Sequence, residues 1–194
     1  GIRDLRMSRG LGDVYKRQYE AREARKAFCS IAEAIVESEQ VYMLVSERQY
    51  ENALQMLSDK IRLVIMDSDD AWARDTGPTF VVSGDADVSY KDRILRGINW
   101  KFNAWGGEYD GLYADWSRDD KIAIEFMKHF GCDYYNAAPF VLEGGSIHTD
   151  GEGTLFVTEN CLLSKGRNPG LSKSQIEEKL KMYCNVHKII WLPC

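Results

Sequence analysis

The apolar positions of this chain change period several times, and each change predicts an element. Ala24, Phe28, Ile31 and Ile35 recur at helical spacing, predicting an amphipathic helix over about 20–38. Residues 41–45 and 61–66 are short apolar runs, each predicting a buried strand, and Ala53, Leu54 and Leu57 place a second helix between them. Residues 79–82 and 94–102 predict two further strands on either side of a polar loop, 83–93. Ile122, Phe126, Met127 and Phe130 predict a helix that Asp119 and Asp120 open and Gly131 stops, with acids at the positive end and glycine past the last turn. Residues 141–149 and 154–158 flank a turn at Asp150-Gly-Glu-Gly153 and predict a hairpin. Ser172 followed by Gln175 forms a capping box, with Leu171 placed to staple onto Ile176, and a last strand runs from Lys188 toward Pro193. Strands alternating with helices give the class α/β.

Composition narrows the picture. The chain has 194 residues, of which 44% are apolar and 28% charged, enough for a real core and too apolar for general disorder. The net charge of −5 suits a cationic ligand, and no Lys/Arg cluster is long enough to follow a phosphate backbone, so no nucleic-acid partner is expected. Cys29, Cys132, Cys161, Cys184 and Cys194 are odd in number and lack a CxxC pair, which argues against a disulfide framework or metal site and for a reducing, cytoplasmic setting. No apolar run reaches the ~20 residues of a membrane span, and no stretch reads as a signal peptide with a basic start and apolar centre, so none is expected. Residues 1–18 are basic and without sustained periodicity. They are set aside as a non-native leader, which leaves a domain over 19–194. The chain stops one residue after Trp191-Leu-Pro193, just beyond an apolar strand, so truncation is expected.

Three segments carry candidate chemistry. Asp67-Ser-Asp-Asp70-Ala-Trp72-Ala-Arg74-Asp75-Thr-Gly77-Pro78 follows an apolar strand directly, where sites are often built. On residues alone it is either a solvated acidic turn with a buried Arg74–Asp75 pair or a binding loop. Asn103-Ala-Trp105-Gly-Gly107 is the second. In the third, Glu143 stands between apolar residues and two glycines; glutamate is seldom buried without a partner. The alternatives there are a β-bulge with an exposed Glu143 or a functional acid. His148 reads as a strand-end histidine without a ligand role, and Cys161 as a core thiol rather than a nucleophile.

Trp72-x-Arg74-Asp75-x-Gly77-Pro78, Asn103-Ala-Trp105-Gly-Gly, Glu143-Gly-Gly-Ser-Ile-His-x-Asp-Gly-Glu-Gly-Thr154 and Lys165-x-Arg167-Asn168-Pro169 together resemble the agmatine deiminases, in the same order, over about 27–193. That resemblance implies an incomplete, partial pseudo-fivefold α/β propeller of the pentein type. It implies hydrolysis of agmatine to N-carbamoylputrescine and ammonia on the route to putrescine, without metal or organic cofactor. By the same resemblance, Asp75 is one of two carboxylates that grip the flat, permanently charged guanidinium and fix its carbon for attack. A cysteine thiolate attacks, and a histidine passes the proton to ammonia and then activates water. Glu143 matches the carboxylate that orients that histidine. Trp72 is placed to line the substrate channel with a cation–π contact, and Arg74 to brace the loop.

The family's later His-x-Asp motif and its Gly-rich cysteine segment are missing, so the chain is expected to be an N-terminal half, inactive alone. The full-length parent is expected to be a possible homodimer. Two other functions fit parts of the sequence. One is a bacterial-type peptidylarginine deiminase. The other is a non-catalytic module in which Trp100, Trp105, Tyr109, Tyr113 and Trp116 stack on sugars while Glu108 and Asp110 bond hydroxyls.

Overall fold

A computed structural model describes the backbone of residues 14–83, 88–89 and 92–193, with side chains from residue 22 onward. The chain divides into two compact units, Gly1–Asp67 and Ser68–Cys194.

In the first unit, helix α1 (Val14–Val36) precedes β1 (Tyr42–Val45), α2 (Glu47–Met56) and β2 (Arg62–Ile65). The two strands are parallel, Tyr42 opposite Arg62 and Val45 opposite Ile65, with α2 as the crossover that a parallel pair needs. Helix α1 begins inside the stretch set aside as a leader; residues 1–13 of that stretch lie outside the described residues. The apolar stripe expected on α1 is rotated. Ala32 is buried, whereas Ile31 and Ile35 are 56% and 40% exposed. Glu33 accounts for this: its carboxylate accepts the Ser58 N–H at 2.7 Å and the Ser58 hydroxyl at 2.8 Å, a two-point grip that turns Ala32 inward in place of Ile31.

The second unit opens with a single helical turn, α3 (Ala73–Thr76), followed by β3 (Thr79–Val82) and β4 (Leu95–Lys101). A short helix α4 (Gly107–Asp110) and a 3-10 turn at Asp119–Lys121 lead into α5 (Ile122–His129) and β5 (Tyr134–Val141). A second 3-10 turn, Gly144–Ser146, precedes β6 (Ile147–Thr149), β7 (Thr154–Thr158), α6 (Glu159–Leu162), α7 (Lys173–Cys184) and β8 (Lys188–Leu192). Both three-stranded sheets follow one plan. Two strands pair antiparallel, a helix intervenes, and the third strand returns parallel to the second: β3-β4-β5 and β6-β7-β8. Each copy also starts from a short helical turn. No repeat is legible in the sequence to announce this.

A single apolar cluster joins the two sheets. Ile98, Trp100, Phe140 and Leu142 meet Ile147, Leu155, Val157 and, from α7, Ile176 and Leu180. The expected capping box starts α7: Ser172 receives the Gln175 N–H at 3.3 Å and donates its own N–H to Gln175 at 2.9 Å. Gly131, with φ +62°, stops the α5 segment as foreseen.

The hairpin is shorter than expected. Residues 141–149 are not one strand: β5 ends at Val141 and only Ile147–Thr149 pairs with β7. The break is made by Glu143, whose carbonyl accepts the Ser146 N–H at 2.9 Å and the Ser146 hydroxyl at 2.6 Å, closing a turn where the strand had been expected to continue. Part of the polar loop 83–93 lies outside the described residues.

Candidate active site

Asp75 stands on α3, a turn closed by the Trp72 carbonyl, which accepts the N–H groups of Asp75 and Thr76, each at 3.0 Å. Gly77 closes the turn, its N–H donating to the Ala73 carbonyl at 2.9 Å, and a Cβ there would lie 2.4 Å from that oxygen. Arg74 does not pair with Asp75. Its Nε donates to the Gly144 carbonyl and its Nη2 to the Ile147 carbonyl, each at 3.0 Å. The arginine therefore laces α3 to the turn that carries Glu143. In return, the Gly145 N–H donates to Asp75 Oδ1 at 2.7 Å. The second Asp75 oxygen accepts the Trp105 indole N–H at 3.1 Å.

Trp105 follows β4 on an unusual stretch of backbone. Ala104 and Trp105 are consecutive non-glycine residues at φ +54° and +63°. That conformation costs roughly 1–2 kcal/mol per residue, so surrounding contacts must impose it. The Gly107 N–H closes the turn onto the Asn103 carbonyl at 2.7 Å. The indole is wedged edge-on against Phe102 at 5.1 Å, Tyr113 at 6.2 Å and Trp72 at 6.4 Å between ring centroids. The structure thus gathers Trp72, Trp105 and Asp75 in one place. The Tyr113 hydroxyl donates to Asp119, which is fully buried and accepts the N–H groups of Asp69 at 2.7 Å and Asp70 at 3.2 Å. Asp119 had been expected only to open a helix; it instead anchors the loop leading into α3. Burial pushes its carboxyl above the usual range, against the pull of these hydrogen bonds.

The same packing removes the sugar-stacking platform. Trp100 is buried, donating to the Thr79 hydroxyl at 2.8 Å and packing on Phe140 and Tyr183. Trp105 is spoken for by Asp75, and Tyr109 is the large exposed aromatic of the group.

Glu143 is 2% exposed, so the bulge with an exposed glutamate is ruled out. Its Oε1 accepts the Arg167 Nε–H at 2.9 Å, while the buried Oε2 has no partner. Burial pushes its carboxyl above the ordinary value of 4.5; the Arg167 guanidinium pulls it down, and the negative charge of Asp75 adds to the upward push. The Asp75 charge is therefore felt at Glu143, and the lacing by Arg74 and Gly145 explains why. Asp75 and Glu143 occupy matching positions in the two copies of the sheet plan, each four residues before the first strand (75 to 79 and 143 to 147).

Neighbours of both acids line a cavity of about 360 Å³: Arg74 and Pro78 from one side, Gly144, Ile147 and His148 from the other. His148 is exposed there and bonds neither acid. Cys161 is a half-buried free thiol rather than a fully enclosed one. Among the described residues, no group of three or more His, Cys, Asp or Glu side chains is arranged to hold a metal ion, and no helix is long and apolar enough to cross a membrane. The roles of Trp105 and Arg167 were not legible from sequence. Both lie in motifs that the resemblance flagged, but their partners are 30 and 24 residues away.

The fold and the candidate site define an α/β chain that carries one carboxylate in the turn leading into each of its two three-stranded sheets. It belongs to the Porphyromonas-type peptidyl-arginine deiminase family, which matches residues 13–194. The chain is 52% identical over 174 residues to the agmatine deiminase of Stutzerimonas stutzeri, covering 89% of this chain and 45% of that protein. It is 51% identical over 171 residues to the agmatine deiminase of Ectopseudomonas mendocina, covering 88% and 45%. A solved structure of the agmatine deiminase of Enterococcus faecalis superposes with a TM-score of 0.80 at 43% identity, over 88% of this chain and 45% of that one. The chain spans 45–46% of the length of the curated relatives it matches.

Proposed function

We propose that this chain forms the guanidinium-gripping part of an agmatine deiminase. The whole protein is a pentein-type, pseudo-fivefold propeller that works in the cytoplasm, as a homodimer. It hydrolyses agmatine to N-carbamoylputrescine and ammonia on the route to putrescine, with no metal or cofactor. The observation that carries this is the hydrogen bond to Asp75 from the N–H of Gly145, two residues beyond Glu143, which ties together the turns that carry the two acids ahead of two matching sheets.

Asp75 is held at both oxygens by neutral donors, Gly145 and Trp105, which orient the carboxylate without neutralising it. Its remaining lone pairs accept the donor fork of a guanidinium, and Trp72, whose ring packs against that of Trp105, supplies a cation–π contact. Glu143, with one oxygen unpaired, accepts the N–H of the imidazole that shuttles the proton. The attacking thiolate is supplied from outside this chain.

Calorimetric titration of the 194-residue chain with agmatine tests this. Agmatine binds, and Asp75→Asn weakens binding roughly tenfold to a hundredfold, the worth of a hydrogen bond to a charged group. Absence of binding, or equal binding by the variant, overturns it. Ammonia release from agmatine stays at background; release would place the nucleophile inside this chain. The family's own description favours a second substrate, peptidyl-arginine. A capped arginine peptide that outcompetes agmatine would establish that substrate instead.

A further inference from the structure

We propose that Arg167 is a positioning residue that anchors one oxygen of Glu143 and thereby presents the other to the reacting centre. This rests on the reading of the site given above.

The geometry is lopsided in an informative way. Arg167 reaches Glu143 through Nε alone, at 2.9 Å, and turns Nη1 toward Asp110, 3.7 Å away. A guanidinium paired with a carboxylate frequently offers two parallel donors to both of its oxygens. Here one oxygen is taken and the other is left buried and unpartnered. Buried polar atoms are nearly always satisfied, so an orphan on a carboxylate that is 2% exposed marks a group kept for something else.

Much of the surrounding structure serves to hold Arg167 still. Asn168 clamps the main chain of Val141, two residues before Glu143, donating to its carbonyl at 2.8 Å and accepting its N–H at 3.0 Å. Asn103 donates to the Gly166 carbonyl at 2.7 Å. Gly166 admits this close approach because a Cβ there would lie 2.6 Å from the Gly106 carbonyl oxygen and 2.2 Å from Asp110 Oδ1. The Lys165-Gly-Arg167-Asn168 and Asn103-Ala-Trp105-Gly106 segments thus lock together with the Arg167 side chain fixed between two acids. The opposed effects of burial and of the Arg167 charge on Glu143 fit this arrangement.

The test follows the Glu143 carboxyl carbon by NMR across a pH titration of the 194-residue chain. In Arg167→Met the midpoint rises by about one to three pH units, the usual effect of losing an adjacent opposite charge. Arg167→Lys keeps the charge without the Nε–H and gives a midpoint between the two. A wild-type midpoint in the Met variant overturns the proposal; should that variant not fold, a wild-type midpoint in the Lys variant does so. Agmatine affinity measured on the same samples supplies a second readout. In wild type it is flat across the Glu143 midpoint of the Met variant, whereas in the Met variant it changes there. Loss of thermal stability with neither change marks Arg167 as merely structural and overturns the proposal. The carboxyl titration needs no agmatine, so it stands even if agmatine does not bind, and the two ideas fail separately.

Discussion

The main-chain N–H of Gly145 donates to Asp75 at 2.7 Å, so the residue two places beyond one acid holds the other acid in position. A Cβ on Gly145 would lie 2.5 Å from Asp75 Oδ1 and displace the carboxylate, whereas one on Gly144 would lie 2.1 Å from the Arg74 carbonyl oxygen, which is backbone and yields less. Gly145→Ala is expected to weaken agmatine binding roughly tenfold, about 1.4 kcal/mol, while largely keeping its melting temperature. Gly144→Ala is expected to lower the melting temperature. Thermal scans beside calorimetry check both, and the reverse pattern would refute the assignment.

Trp105 combines a ring wedged among aromatics with one hydrogen bond to Asp75. Trp105→Phe keeps most of the packing and deletes the donor. A hydrogen bond to a charged group is worth about 1.5–3 kcal/mol, so agmatine affinity falls by roughly tenfold to a hundredfold. If affinity is unchanged, the indole N–H does not orient the acid.

The Glu143 carboxyl titrates above its ordinary value in the folded chain because of burial. Folding therefore favours its protonated form. The stability this group contributes is fully present below pH 4.5 and is lost as pH rises through the elevated midpoint. Asp119, also raised by burial, acts with the same sign. Urea unfolding of wild type and Glu143→Gln across this window is expected to show a shallower decline in the variant. Parallel curves would show that Glu143 is not the group titrating.

The capping box at Ser172 offers a control far from the acids in sequence. Ser172→Ala removes the side-chain acceptor at the start of α7 and is expected to cost about 1 kcal/mol. For a chain of this length that lowers the melting temperature by roughly 2–4 °C. Agmatine affinity is expected to stay unchanged.

Local signals carried much of the fold. Ser172 with Gln175, Gly131 after α5, and the apolar runs at β1, β2 and β3 each declared an element within a few residues. Strand β5 was missed because it does not alternate: Tyr134, Tyr135 and Asn136 are all exposed, and its apolar residues gather at the far end. The stretch from 141 to 149 was misjudged because the turn depends on Ser146 bonding back to Glu143, which an apolar pattern does not encode. For the candidate site, Asp75, Glu143 and Trp72 stood in motifs the sequence shows, and the structure places Asp75 against Gly145 and Trp105, with Trp72 packed on Trp105. The holders of the acids were not legible, since the Trp105–Asp75 and Arg167–Glu143 contacts are made only after the chain has folded back on itself.

The duplicated sheet plan has a mechanical consequence. Each copy leaves one acid on the threshold of its opening strand, so the shared core is the common mount of both. Ile98, Leu142 and Leu155 make no polar contact with either acid, yet they set how the copies are mounted on one another and hence how far apart the two thresholds stand. Volume changes at those three positions are therefore expected to alter the spacing of the two acids while leaving both side chains in place.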